Sequence, residues 1–73
     1  MLELDAEIVE ELRGRDRQFN ELWRKHADLK QRVRKGAVGL IPTGDVRLAE
    51  MKREKLRCKE QMLAIAAAYR AEA

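Results

Sequence analysis

The sequence has little of what builds a large or covalently cross-linked core. Its 73 residues include one cysteine, one proline and three aromatic side chains. A single cysteine excludes an intrachain disulfide framework and is typical of proteins from a reducing compartment. A chain this short buries only about 60 % of its unfolded surface when it folds alone. We therefore expect one small domain, residues 1–73, whose core is built mainly from aliphatic side chains.

Signals for membranes and export are also lacking. No apolar run approaches the length of about 20 residues that a membrane-spanning helix needs. The first residues, Met1 to Asp5, contain neither a basic segment nor an apolar segment, so we expect no signal peptide. These features predict a cytoplasmic protein with no membrane partner.

Charge is abundant and unevenly spread. Charged residues make up 40 % of the chain, and the net charge is +3. Residues 1–12 carry five acids and no base, whereas residues 13–35 carry nine bases and three acids. Bases on a polar helix face usually serve solubility and pairing with acids one turn away. The alternative is that the stretch 13–35 binds the phosphates of a nucleic acid as an accessory function.

One break divides the chain. Three of the four glycines and the only proline fall in residues 36–44, a composition typical of a loop. The break predicts a helix over about 5–35, a loop over about 36–44 and a second helix over about 45–71. Asp5 is placed to cap the first helix, Gly36 to end it, and Thr43 or Asp45 to cap the second.

Both arms carry a seven-residue repeat, with steps that alternate between 4 and 3 residues. This repeat is typical of a helix that faces another helix. The repeat in the first arm runs through Ile8, Leu12, Arg15, Phe19, Leu22, His26, Leu29 and Val33. The repeat in the second arm runs through Leu48, Met51, Lys55, Cys58, Met62, Ile65 and Tyr69. We call these positions the seam.

The paired repeats predict an all-α fold, an antiparallel, coiled-coil-like hairpin of two helices. Pairing Val33 with Leu48 beside the loop places His26 opposite Lys55 as a polar layer. Such a layer fixes register at some cost in stability. The positive charge of Lys55 should also lower the pKa of His26, because two cations side by side repel each other.

A second set of apolar residues lies off the seam or in the loop. Its members are Val9, Trp23, Leu40, Ile41, Leu56, Leu63 and Ala66. Left in water, they would form a larger apolar patch than soluble monomers usually expose. They predict a homo-oligomer, a dimer or a tetramer, in which hairpins join into a four-helix bundle or a higher assembly. They also leave open a further protein partner that the sequence does not identify.

The sequence offers no catalytic, cofactor or metal site. One histidine and one cysteine cannot complete a four-ligand zinc site within the chain. Cys58 lies one layer from His26, but two helices leave no room for a substrate pocket, and a small buried side chain is the better interpretation. We therefore expect an interaction or scaffold module without enzymatic activity.

Two motifs resemble a known family. The stretch Leu48-Ala49-Glu50-Met51-Lys52-Arg53-Glu54-Lys55-Leu56-Arg57-Cys58-Lys59-Glu60-Gln61-Met62 is similar to the signature of the YdcH-like proteins. The spacing of Phe19, Leu22, His26 and Leu29 also resembles that family, although Met51, Cys58 and Met62 depart from its pattern of leucine and isoleucine. The resemblance implies a bacterial, cytoplasmic helical hairpin of unassigned function, and it brings no catalytic residue.

Overall fold

A computed structural model describes residues 4–72. Over this range the chain forms three helices and no strand. They are α1 (Ala6–Arg15), α2 (Arg17–Ala37) and α3 (Asp45–Glu72). The all-helical prediction is confirmed for this range. Residues 1–3, on which the expectation of no signal peptide partly rests, lie outside it.

Asp16 separates α1 from α2, where the seven-residue repeat predicted one continuous helix. Its backbone is extended (φ −114°, ψ 109°), and its N–H donates to the Leu12 carbonyl at 2.7 Å. Its carboxylate accepts the Phe19 backbone N–H at 2.9 Å. This single residue therefore ends one helix and caps the next, since the first N–H groups of a helix have no partner within it.

α1 turns back at Asp16 and lies beside α2. Val9, Trp23 and His26 line the same cavity of about 280 Å³. In one continuous helix, Val9 and His26 would be about 25 Å apart. The Arg13 guanidinium donates to the Asn20 side chain at 3.1 Å and lies 3.8 Å from the centre of the Trp23 ring. These contacts hold the short helix against the longer one.

The helix ends follow local hydrogen bonding. The Asp5 carboxylate accepts the Glu7 N–H at 2.9 Å, as predicted for a cap. α2 continues past Gly36, the predicted stop, to Ala37. Gly39 then adopts the left-handed backbone (φ 79°), and the Leu40 N–H donates to the Lys35 carbonyl at 2.9 Å. This is the Schellman termination, in which glycine is favoured because it has no Cβ.

Gly36 has a packing role instead. A Cβ atom at this position would lie 3.0 Å from Thr43 Oγ1 and 3.2 Å from Leu48 Cδ1. The glycine therefore allows the end of α2 to approach the start of α3. The Thr43 hydroxyl donates to the Ile41 carbonyl at 3.2 Å, while the Leu48 N–H donates to the Gly44 carbonyl at 2.9 Å. Because α3 begins at Asp45, Gly44 occupies the N-cap position, which the sequence analysis assigned to Thr43 or Asp45.

The core consists of two clusters along α3. The cluster nearer the loop contains Leu29, Val33, Met51 and Cys58. The cluster farther from the loop contains Leu12, Phe19, Met62 and Ala66. Leu22 packs against both clusters and joins them. The molecule measures 44 × 19 × 19 Å, and its long dimension matches the length of about 42 Å that 28 helical residues span.

Candidate functional site

All seam residues except Arg15 are buried or half-buried. Seven are buried: Leu12, Phe19, Leu29, Val33, Met51, Cys58 and Met62. The others are half-buried: Ile8, Leu22, His26, Leu48, Lys55, Ile65 and Tyr69. These fourteen side chains thus mark the sides on which the helices pack.

Arg15 is the seam residue that lies at the surface. Its guanidinium donates to the Tyr69 hydroxyl at 3.2 Å and pairs with the Glu11 carboxylate at 3.6 Å. The pKa of Tyr69 is raised above its usual value, mainly because its hydroxyl hydrogen bonds to Glu11. The three side chains tie the end of α1 to the end of α3.

His26 lies half-buried among lysines. Its pKa is lowered from the ordinary value of 6.5, first by burial and then by the positive charges of Lys55, Lys30 and Lys59. The expected direction is therefore confirmed, and burial is its larger cause. The lysines come from both α2 and α3, so the histidine sits where positive charge from two helices converges.

Cys58 is enclosed by apolar side chains. Only 4 % of the residue is exposed, and its cluster consists of Leu29, Val33 and Met51. A thiol in such surroundings packs as a small hydrophobic group. In the part of the chain that the structure describes, no group of three or more His, Cys, Asp or Glu side chains could hold a metal ion.

The residues assigned to an oligomer interface do not form one surface. Ala66 is 2 % exposed and belongs to the core of its own chain. Val9 and Trp23 are half-buried and pack against that same core. The physical reason is the fold-back of α1, which covers within one chain a face that the sequence analysis assigned to a second copy.

Other apolar side chains remain open to solvent. On α3, Leu56 is 54 % exposed and Leu63 is half-buried. In the loop, Leu40 is 74 % exposed and Ile41 is 43 % exposed. These are the predicted interface residues that the structure leaves accessible.

Two exposed valines were missed by the sequence analysis. Val38 is 65 % exposed in the loop, and Val46 is 74 % exposed in the first turn of α3. Neither residue falls on a repeat, so periodicity gave no signal for them. Their proximity along the chain to Leu40 and Ile41 was the one available sign.

The described helices also bear on membranes. Within residues 4–72, no helix combines the length and the apolar character that crossing a membrane requires.

Comparison with known proteins places the chain in a family. A family model described as a protein of unknown function, DUF465, matches residues 19–66. The match spans most of α2, the loop and most of α3, and it leaves out α1. No match was found among curated proteins or among solved structures. Because the matched range covers well over half of the sequence, the chain belongs to DUF465, the YdcH-like family of short proteins of unknown function.

Proposed function

We propose that this protein is a non-enzymatic interaction module that associates with a second copy through the outer face of α3. In this proposal α2 and α3 form an antiparallel, coiled-coil-like hairpin, and α1 closes one side of it. Two such units then join into a bundle, either as a dimer or as the dimeric half of a tetramer. A closed two-fold pair is the commonest form of homo-oligomer.

Leu56 is the observation that carries this proposal. It is a leucine near the middle of a long helix, yet 54 % of it is exposed. Ala49 and Leu63 lie seven residues before and after it, so the three share one helical stripe. Ala49 and Leu56 are exposed and Leu63 is half-buried, whereas other residues of α3 supply both core clusters.

The stripe suits an antiparallel pairing of α3 with its copy. With the two-fold axis at Leu56, Leu63 of one copy meets Ala49 of the other, so a large side chain faces a small one. The same register places Lys52 opposite Glu60 but Arg53 opposite Lys59. Attraction and repulsion therefore offset each other, and apolar burial drives the association.

The nucleic-acid alternative draws less support from the basic stretch 13–35. Arg13 lies over the Trp23 ring, and Arg15 contacts Tyr69 and Glu11. Arg17 and Arg32 pair with acids one turn away. These contacts are the ordinary ones of a solvated helix face. Binding through phosphates would fall steeply as salt is raised, which distinguishes the two proposals.

Sedimentation equilibrium of the full chain tests the self-association. We expect an average mass above 8.5 kDa that rises with protein concentration. Leu56→Gln should shift the mass toward that of the monomer, because it removes the central apolar contact. Leu40→Gln is the matched control, since it removes an even more exposed leucine, 74 % against 54 %, that lies outside the stripe. A monomeric mass at every concentration, or equal effects of the two variants, would overturn the proposal.

A further inference from the structure

The loop between α2 and α3 carries a second apolar surface, separate from the stripe on α3. Its members are Val38, Leu40, Ile41 and Val46, which are 65 %, 74 %, 43 % and 74 % exposed. We call this surface the apolar tip. It lies at one end of the elongated molecule, where α2 ends and α3 begins. Four large apolar side chains exposed within nine consecutive residues, 38–46, exceed the scattered exposure that is normal for a soluble surface.

The tip is surrounded by positive charge. Residues 30–47 contain five Lys or Arg and one acid, Asp45. Two of the five are paired with acids outside this range, Arg32 with Asp28 at 3.1 Å and Arg47 with Glu50 at 3.6 Å. Arg34 and Lys35 belong to the last turn of α2, and Arg47 follows Val46 directly. Over residues 4–72, no ion pair engages Arg34 or Lys35.

The backbone presents the tip in a defined shape. The Leu40 and Ile41 N–H groups both donate to the Lys35 carbonyl, at 2.9 and 3.4 Å. Gly39 adopts the left-handed conformation that this turn requires. The backbone of Leu40 and Ile41 is thus fixed by the same turn that terminates α2.

The charge decides which partner fits this tip. Two copies meeting tip to tip would bring Arg34 and Lys35 of one copy close to the same residues of the other, and these like charges repel each other. The phosphates of a nucleic acid would contact the Lys and Arg side chains, but the two valines, the leucine and the isoleucine would remain in water. An anionic lipid surface satisfies both features, because apolar side chains enter the interface while Lys and Arg contact phosphate groups.

We propose that the apolar tip and its basic rim dock this protein on anionic membrane surfaces. Val38, Leu40, Ile41 and Val46 insert at the level of the lipid headgroups, and Arg34, Lys35 and Arg47 bind lipid phosphates. No helix crosses the bilayer in this arrangement, and α3 extends away from the surface. The inference replaces the sequence-based expectation of no membrane partner, and it is independent of pairing through Leu56.

Sedimentation with vesicles tests the docking. The full chain is mixed with vesicles of equal parts phosphatidylglycerol and phosphatidylcholine, or with phosphatidylcholine alone. We expect binding to the mixed vesicles, much weaker binding to the neutral ones, and release at high salt. The double substitution Leu40→Ser with Ile41→Ser should weaken binding about tenfold or more, because it removes insertion without changing charge.

A second pair of variants separates the rim from general basicity. Arg34→Gln with Lys35→Gln should weaken binding about 25-fold, since each Lys or Arg near an anionic surface strengthens binding roughly fivefold. Arg24→Gln with Lys25→Gln, which changes the net charge equally at exposed positions of α2 away from the tip, should leave it within about twofold. Circular dichroism checks that every variant keeps its helices.

Three results would overturn the proposal. The first is no sedimentation with the mixed vesicles, which would leave a protein groove as the occupant of the tip. The second is equal binding to mixed and neutral vesicles. The third is binding by the Leu40→Ser/Ile41→Ser variant as tight as that of the unsubstituted chain.

Discussion

His26 shows how a single polar residue can be accommodated in a helix interface. It is half-buried on the seam, and its pKa is lowered first by burial and then by Lys55, Lys30 and Lys59. Lys30 and Lys59 are exposed and Lys55 is half-buried, so a protonated His26 would stand beside three positive charges. The imidazole therefore packs best in its neutral form.

Acidification should consequently weaken the fold. The lowered pKa means that the unfolded chain binds a proton more readily than the folded chain. The contribution of neutral His26 to the free energy of unfolding is thus complete above pH 6.5, the pKa of the histidine in the unfolded chain. It is lost as the pH falls through the lower pKa of His26 in the folded chain. Urea unfolding at fixed protein concentration should show this decline between neutral and mildly acidic pH. His26→Gln should flatten it, and an unchanged slope in that variant would contradict the role given to His26.

At the scale of the elements, the repeat predicted which sides of the helices pack but not where the first helix breaks. The seven-residue repeat continues in the sequence across Asp16, through Leu12, Arg15 and Phe19, whereas the helix is interrupted at that residue. The signal at Asp16 is a local one, since its carboxylate caps Phe19. Aspartate is common on any helix surface, and its capping role depends on a turn that sequence spacing does not specify.

The interface residues show a second limit of sequence reasoning. An apolar stripe on a helix predicts that the stripe is buried, but it does not predict whether the same chain or a second chain buries it. Val9, Trp23 and Ala66 pack within their own chain, in or against the cluster farther from the loop. Leu56, by contrast, is left 54 % exposed by its own chain.

The two helical glycines provide a matched test of how closely α2 approaches the start of α3. A Cβ at Gly14 would have no neighbour within 4 Å, whereas a Cβ at Gly36 would press on Thr43 and Leu48. Gly14→Ala should raise the free energy of unfolding by about 0.5–1 kcal/mol. Gly36→Ala should gain less, or should destabilise, because the contact offsets the helix preference. Equal gains in urea unfolding would show that α2 and α3 lie farther apart there.

At the scale of the whole molecule, two open apolar surfaces are separated along a rod 44 Å long. The stripe centred on Leu56 lies near the middle of α3, and the apolar tip lies at its first turn. Val38, Leu40 and Ile41 precede α3 and lie outside the stripe, so they stay accessible when two copies pair through it. An antiparallel pair would present one tip at each end.

Cross-linking through position 56 tests the central claim most directly. In a Cys58→Ser background, Leu56→Cys places one thiol at the proposed two-fold axis, and Val46→Cys places one at an exposed site far from it. Mild oxidation should convert the Leu56→Cys variant rapidly into a disulfide-linked dimer and leave the Val46→Cys variant largely monomeric. Equal rates for the two variants, at a protein concentration where the unsubstituted chain sediments as an oligomer, would contradict pairing through α3.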